Sequence, residues 1–358
     1  MKDFIKYFDK LDFLLLLGIS ILGIFLISSA VQDSSVNYGL KQSLWLTFSV
    51  ILFFVIMKIK TDFIFKSSFL IYLFLIIILI FQILSNKIIS GTKSWIKIGL
   101  FNIQTSEFIK IFIALILAKY LEKINVIGWK EFLQIFIIIG IPFILIGLQP
   151  DFGTAFTLLS FFATIFILKK IKKSIILSLL ILSLVSSYIS WNYILKDYQK
   201  NRILSFLNPG KYKKTFNYQS IQSKIAIGSG GLTGKGYKRG SQSKYKFLPI
   251  RHTDFILSIL GEEFGFFGIS FLFTLFFLFI YRQYNTRIQN NRDFTFIFLF
   301  TTIILFQFVI NSLMTVGLFP IIGIPLPFVS YGGSSLLALF MGEAIIFRIN
   351  LNNFLLNE

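Results

Sequence analysis

"LDFLLLLGISILGIFLISSA", residues 11–30, decides the fold. Lys2, Lys6 and Lys10 precede it and Ser28, Ser29 and Ala30 close it, the layout of a cleavable secretion signal. The apolar core of such a signal is about 7–15 residues, and this run is longer than that. A run of about 20 apolar residues spans a bilayer, so the stretch reads as an uncleaved first membrane helix.

The rest of the chain repeats the pattern. Of 358 residues, 55% are hydrophobic and 14% charged, where a soluble globular protein carries about 25% charge. Ten segments read as spans: 11–30, 43–57, 68–86, 107–121, 131–148, 152–168, 173–195, 254–281, 294–317 and 332–348. The expected fold is an all-α polytopic membrane protein, one domain over 1–358, with a large extracytoplasmic loop at 196–252. The absence of cysteine excludes disulfides and thiolate metal sites, and a single histidine excludes a multi-His site.

A formal charge of +19 would suggest nucleic acid in a soluble protein, but here the positions of the charges matter more. With the N-terminus inside, 17 of the 35 Lys and Arg residues fall in inside segments and four in short outside loops. Another 13 lie in the 196–252 connection, and loops of that length are exempt from the positive-inside rule. Both termini are therefore expected in the cytoplasm, with no nucleic-acid partner.

Two outside segments are too long to be turns. Residues 86–106 include Trp95, Ile96, Ile98 and Leu100, placed to lie at the membrane interface. Residues 196–252 include "GSGGLTGKG" (228–236), which lacks phosphate-loop spacing: Gly230 and Gly234 are separated by three residues, not four. That run reads as a flexible loop, or as backbone amides and Lys235 facing an anionic headgroup.

Charged residues gather at the outer ends of the spans. "RHTDFILSILGEEFG" (251–265) opens the eighth with Arg251, His252 and Asp254, followed by Glu262 and Glu263. Asp254 fits an N-cap with Arg251 as its surface partner, or a carboxylate held at the mouth of a polar cavity. Eight residues on, Glu262 lies about 12 Å deeper, where a carboxylate needs a partner or water. His252 reads as a capping or packing histidine. Asp151 in "QPDFGT" fits a helix cap or a site, and in "QTSEFIK" Thr105 or Ser106 caps while Glu107 and Lys110 pair. "PLPFVSYGGSS" (325–335), with Ser330, breaks the last span at the same depth, where irregular backbone is tolerated against a cavity or within protein.

In this order, "GTKSWIKIGLFNIQTSEFIK" (91–110), "QPDFGTA" (149–155), "QSKIAIGSGGLTGKG" with "FLPIRHTDFI" (within 217–265) and "PFVSYGGSS" (327–335) resemble the SEDS family, in its elongation branch. One departure is visible: Thr105 stands where the family usually has proline. The resemblance implies a peptidoglycan glycosyltransferase that polymerises lipid II at the outer face of the bacterial cytoplasmic membrane. It places the family's essential aspartate on Asp254 and implies a divalent cation, Mg2+ or Mn2+. It further implies a class B penicillin-binding protein as partner, among other elongation-complex membrane proteins. Lys110, Arg251 and Lys235 are candidates to meet diphosphate charge, with Glu107, Trp95, Asp151, His252 and Ser330 lining the cavity. A lipid II flippase and a non-catalytic scaffold are the rival readings. The absence of an obvious internal repeat disfavours a transporter.

Overall fold

The computed structural model describes residues 8–32, 36–85, 92–99, 101–207, 218–245, 247–248, 251–286 and 288–356. Leu100 and parts of the 196–252 connection thus lie outside the described residues. In hydrocarbon every backbone N–H and C=O must find a partner within the protein, so apolar runs of bilayer length become helices. Three come first: α1 (Lys10–Ala30), α2 (Tyr38–Met57) and α3 (Thr61–Leu84). A hairpin, β1 (Trp95–Ile98) and β2 (Phe101–Gln104), leads into α4 (Thr105–Leu121). After β3 (Val126–Ile127) come α5 (Trp129–Leu148), α6 (Phe152–Thr157), α7 (Leu159–Leu168), β4 (Lys170–Ile171) and α8 (Lys173–Ile189). The long connection holds α9 (Asp197–Leu207), α10 (Tyr218–Gly230) and α11 (Ser241–Lys244). It is followed by α12 (Ile256–Tyr284), α13 (Asn291–Thr315) and α14 (Gly333–Leu356).

Among the described residues, eight helices are long and apolar enough to cross a membrane. The shorter α4 and the α6–α7 pair fall on the fourth and sixth expected spans. Several helices outrun the hydrocarbon: α2 begins at Tyr38 rather than 43, because Asn37 Oδ1 accepts the Leu40 N–H (2.9 Å) and starts the helix in polar sequence. The core gathers around α4, whose residues Ile109 to Leu115 are all buried, charged Lys110 included. Polar contacts collect at the two ends. At one, Arg282 bridges Asp9 and Asp12, and Arg292 meets Asp62 and Asp293. The functional candidates occupy the other.

The eighth span is not one rod. Gly265 has φ 63° and ψ −156°, a conformation open to glycine alone, and splits α12 into two helices. A break of this kind strips two carbonyls and two amides of their helical partners. The glycine loop supplies all four: Lys235 N–H donates to Glu262 O (3.0 Å) and Gly236 N–H to Glu263 O (2.9 Å). In return Phe266 N–H donates to Gly231 O (2.9 Å) and Phe267 N–H to Leu232 O (3.1 Å). Gly234 lies so close that a Cβ there would strike the Glu263 carbonyl and the Phe264 nitrogen. "GSGGLTGKG" is therefore neither a flexible loop nor a headgroup cradle. It is backbone that closes a wound in a membrane helix, with α10 in front of it resting along α12 and α13.

Candidate active site

Asp254 sits in the turn just before α12. The helix takes Phe255 as N-cap with no side-chain cap bond, and Asp254 stands one residue before it. The backbone of this turn is pinned residue by residue. Asn311 of α13 donates through Nδ2 to Asp254 O and to Ile324 O (2.8 Å each). Ser330 Oγ donates to Thr253 O (2.5 Å) and accepts the Leu326 N–H (2.8 Å). Tyr331 N–H donates to His252 O (2.9 Å), and Arg251 Nε donates to Ala30 O at the end of α1. The segment doing this pinning carries its own strain: Phe328 has φ 62°, costly for a side chain of that size, and it is buried beside Phe279 and Phe340.

His252 sits between two tyrosines. Its ring lies 4.9 Å from that of Tyr38 and 5.6 Å from that of Tyr331. Burial, then the neighbouring Arg251 charge, push its pKa down, so the imidazole is neutral at neutral pH. Arg251, expected as a surface partner of Asp254, is buried with 8% of its surface exposed.

A second group forms where β2 runs into α4. Neither Thr105 nor Ser106 caps the helix; Gln104 is the N-cap and makes no side-chain cap bond. Thr105 Oγ1 instead accepts from Gln82 (3.1 Å), and Ser106 Oγ donates to Asp151 (3.5 Å). Glu107 and Lys110 form the expected pair at 2.9 Å, at 3% and 4% exposure. Asp151 caps α6 through the Thr154 N–H (3.3 Å) and accepts Gln104 Nε2 (2.5 Å). Burial is the leading cause raising its pKa; bonds from Thr154 and Gln104 oppose it, and the Glu107 charge adds to it. Trp95, half-buried, lies opposite Gln104 in the hairpin.

One loop residue joins the two groups. A Cβ on Gly153 would lie 2.6 Å from Gly323 O and 2.7 Å from Ile322 O, so α6 touches that loop backbone to backbone. A Cβ on Gly323 would lie 3.5 Å from Asp254 Oδ2. Asp254, Asp151, Glu107 and Lys110 thus share one end of the bundle, linked through 322–323. Lys235 stands apart from them: its ammonium is committed to Glu262 (2.7 Å) and Ser241 (3.0 Å). Gln104, Asn311 and Gly323 went unnoticed in the sequence. An asparagine within the apolar α13 was the one signal that pointed to any of them.

The described residues hold no group of three carboxylate or imidazole side chains able to grip a metal ion by themselves. The carboxylates here do not converge in threes, and Glu107 is engaged by Lys110. The chemistry on offer is one half-exposed carboxylate on a rigid turn, beside a buried ion pair and a polar corner.

Comparison with known proteins agrees over almost the whole chain. The family model of FtsW, RodA and SpoVE, described as "Cell cycle protein", matches residues 9–354. The chain is 35% identical to the peptidoglycan glycosyltransferase MrdB of Escherichia coli K12, over 80% of this chain and 78% of that protein. It is 34% identical to the peptidoglycan glycosyltransferase RodA of Treponema pallidum, over 96% and 97%. It is also 34% identical to a probable peptidoglycan glycosyltransferase FtsW of Wigglesworthia glossinidia brevipalpis, over 96% and 93%. A solved chain from "Structural coordination of polymerization and crosslinking by a peptidoglycan synthase complex" superposes with TM-score 0.84 at 25% identity, covering 97% of this chain and 98% of that one. The crystal structure of Thermus thermophilus rod shape determining protein RodA shares the fold, with TM-score 0.72 at 24% identity and the same coverage.

Proposed function

The chain belongs to the FtsW/RodA/SpoVE family, and from that premise we propose that Asp254 is the base with which it builds glycan. The protein is a peptidoglycan glycosyltransferase of the RodA type, a multi-pass protein of the bacterial inner membrane. The finer reading is that it polymerises lipid II at the outer face. The observation that supports the role of Asp254 is its turn, fixed by Asn311, Ser330 and Tyr331, with the Gly323 backbone beside its carboxylate.

Asp254 takes the proton from the 4-hydroxyl of the acceptor sugar. The freed oxygen pair bonds to the anomeric carbon of the donor, the bond from that carbon to the phosphate oxygen breaks, and undecaprenyl diphosphate leaves with the electrons. Configuration inverts. Diphosphate is a stable leaving group, so the second carboxylic acid of a glycosidase is not needed. A base held on a rigid turn contributes about 100- to 10,000-fold. Lys110 is the cation best placed to meet the headgroup, and a phosphate there competes with Glu107 for it.

A divalent cation, Mg2+ or Mn2+, fits only in a limited form. With no three ligating side chains together among the described residues, such an ion would draw its oxygens from the diphosphate and from one or two carboxylates of the chain. A class B penicillin-binding protein is the partner this reading calls for, supported by the likeness to a chain of a peptidoglycan synthase complex.

One reconstitution tests these points together. Purified Asp254→Asn is expected to fold, to co-purify with the transpeptidase, and to lose lipid II polymerisation on a gel. Normal polymerisation by that variant would remove Asp254 from the role. Chelation of the wild-type protein should stop the reaction and added Mg2+ or Mn2+ restore it; indifference to chelator would dismiss the ion.

A further inference from the structure

Glu262 and Glu263 are left without work by the transfer chemistry. Glu262 has no exposed surface, yet its carboxylate gathers donors from a single segment of the outer connection. Lys235 Nζ lies at 2.7 Å, the Ser241 N–H at 2.7 Å, Ser241 Oγ at 2.9 Å and the Gln242 N–H at 3.2 Å from each oxygen. The neighbouring Glu263 accepts from Ser29 Oγ of α1 and from the backbone of Lys238. Residues 235–242 are thus clasped to α12 by side chains as well as by the backbone bonds that seal the helix break.

Sealing the break does not require a charge, because the glycine loop already satisfies the four backbone groups of that break. A carboxylate in this position is costly to bury and is repaid only by charge-assisted bonds, about twice as strong as neutral ones. What the clasp adds is a fixed place for the chain shortly before the turn that carries Asp254. Downstream that turn is held by Asn311, Ser330 and Tyr331. Upstream it is held by Arg251 on Ala30, next to the Ser29 that binds Glu263. We infer that Glu262 is a positioning residue: its buried charge clasps residues 235–242 and so sets the position from which the chain enters the Asp254 turn. The inference rests on Asp254 being the base of glycan transfer.

The cysteine-free chain allows a direct test. Lys235 N–H and Glu262 O are 3.0 Å apart, so the two backbones approach as closely as a disulfide requires. In Lys235→Cys/Glu262→Cys the ion pair is absent when reduced and replaced by a covalent bond when oxidised. The reduced form is expected to polymerise lipid II roughly 10- to 100-fold more slowly, the penalty of a small misplacement at the site. Oxidation should restore most of the rate and a reductant remove it again, while wild type ignores both reagents. Ser241→Pro removes two of the donors at a helix start where proline is otherwise accommodated, and should show a similar loss. In both variants trypsin should begin to cut after Lys238 or Arg239 while the protein still purifies as a folded monodisperse species. Wild-type rates in the reduced variant and in Ser241→Pro would overturn the inference, as would a fully oxidised variant no faster than the reduced one. Failure of the wild-type protein to polymerise in the same assay would instead count against the transfer reading.

Discussion

Asp151 shows how much one side chain is asked to do here. It caps α6, receives Gln104 and Ser106, and feels the charge of Glu107. Burial raises its pKa above the ordinary 3.8, so the fold favours its protonated form. The contribution of such a group to stability is complete below its unfolded pKa and is lost as pH rises through its folded one. Asp151→Asn can still accept the Thr154 N–H. It is expected to flatten the fall in melting temperature between about pH 4 and the raised pKa, and to leave the neutral-pH value the same or higher. A pH profile identical in shape to wild type would contradict this. At this scale the sequence was partly legible. Glu107 and Lys110 stand three residues apart on a helix, so their pairing could be foreseen. Lys235 could not be placed, because its partner Glu262 lies 27 residues away and meets it only through the helix break. Arg251 was expected at the surface because arginine is seldom buried; its bond to Ala30 O depends on how α1 ends.

Among the elements, α6 and the loop before α14 meet with no side chain between them. A methyl group on Gly153 would collide with the carbonyls of Ile322 and Gly323, forcing backbone rather than a flexible side chain to move. Gly153→Ala is therefore expected to push the Asp151 corner away from the Asp254 turn. Polymerisation should fall at least tenfold, in line with a displacement of about 1 Å at a reacting centre, in a protein that still purifies as a folded monodisperse species. Unchanged activity would show that the two groups work independently. Apolar runs placed most helices to within a few residues, since run length is what the bilayer requires. The interruption in α12 stayed hidden because Gly265 lies inside a long hydrophobic segment that reads as one span from 254 to 281. A lone glycine does not reveal whether another strand of chain is available to take up the freed hydrogen bonds.

For the molecule as a whole, the expectation from lysine and arginine placement is that both termini lie in the cytoplasm and the Asp254 end outside. Single cysteines introduced into the cysteine-free chain report this directly. Cysteine at Lys97 or Tyr245, both exposed, should react with an impermeant maleimide applied to intact spheroplasts. Cysteine at Lys130 should react only after permeabilisation. The opposite pattern would invert the topology and with it the assignment of the outer face. The break at Gly265 has a practical consequence for anyone editing this protein. Genetic tags and split sites are normally put into the longest polar connection, on the assumption that such a stretch tolerates strangers. Between Gly231 and Gly236 that assumption fails, because an insertion would tear out the four hydrogen bonds that close the helix break. A reporter placed there would read as loss of function with the Asp254 turn untouched, and a screen by random insertion would wrongly mark the glycine loop as a substrate site.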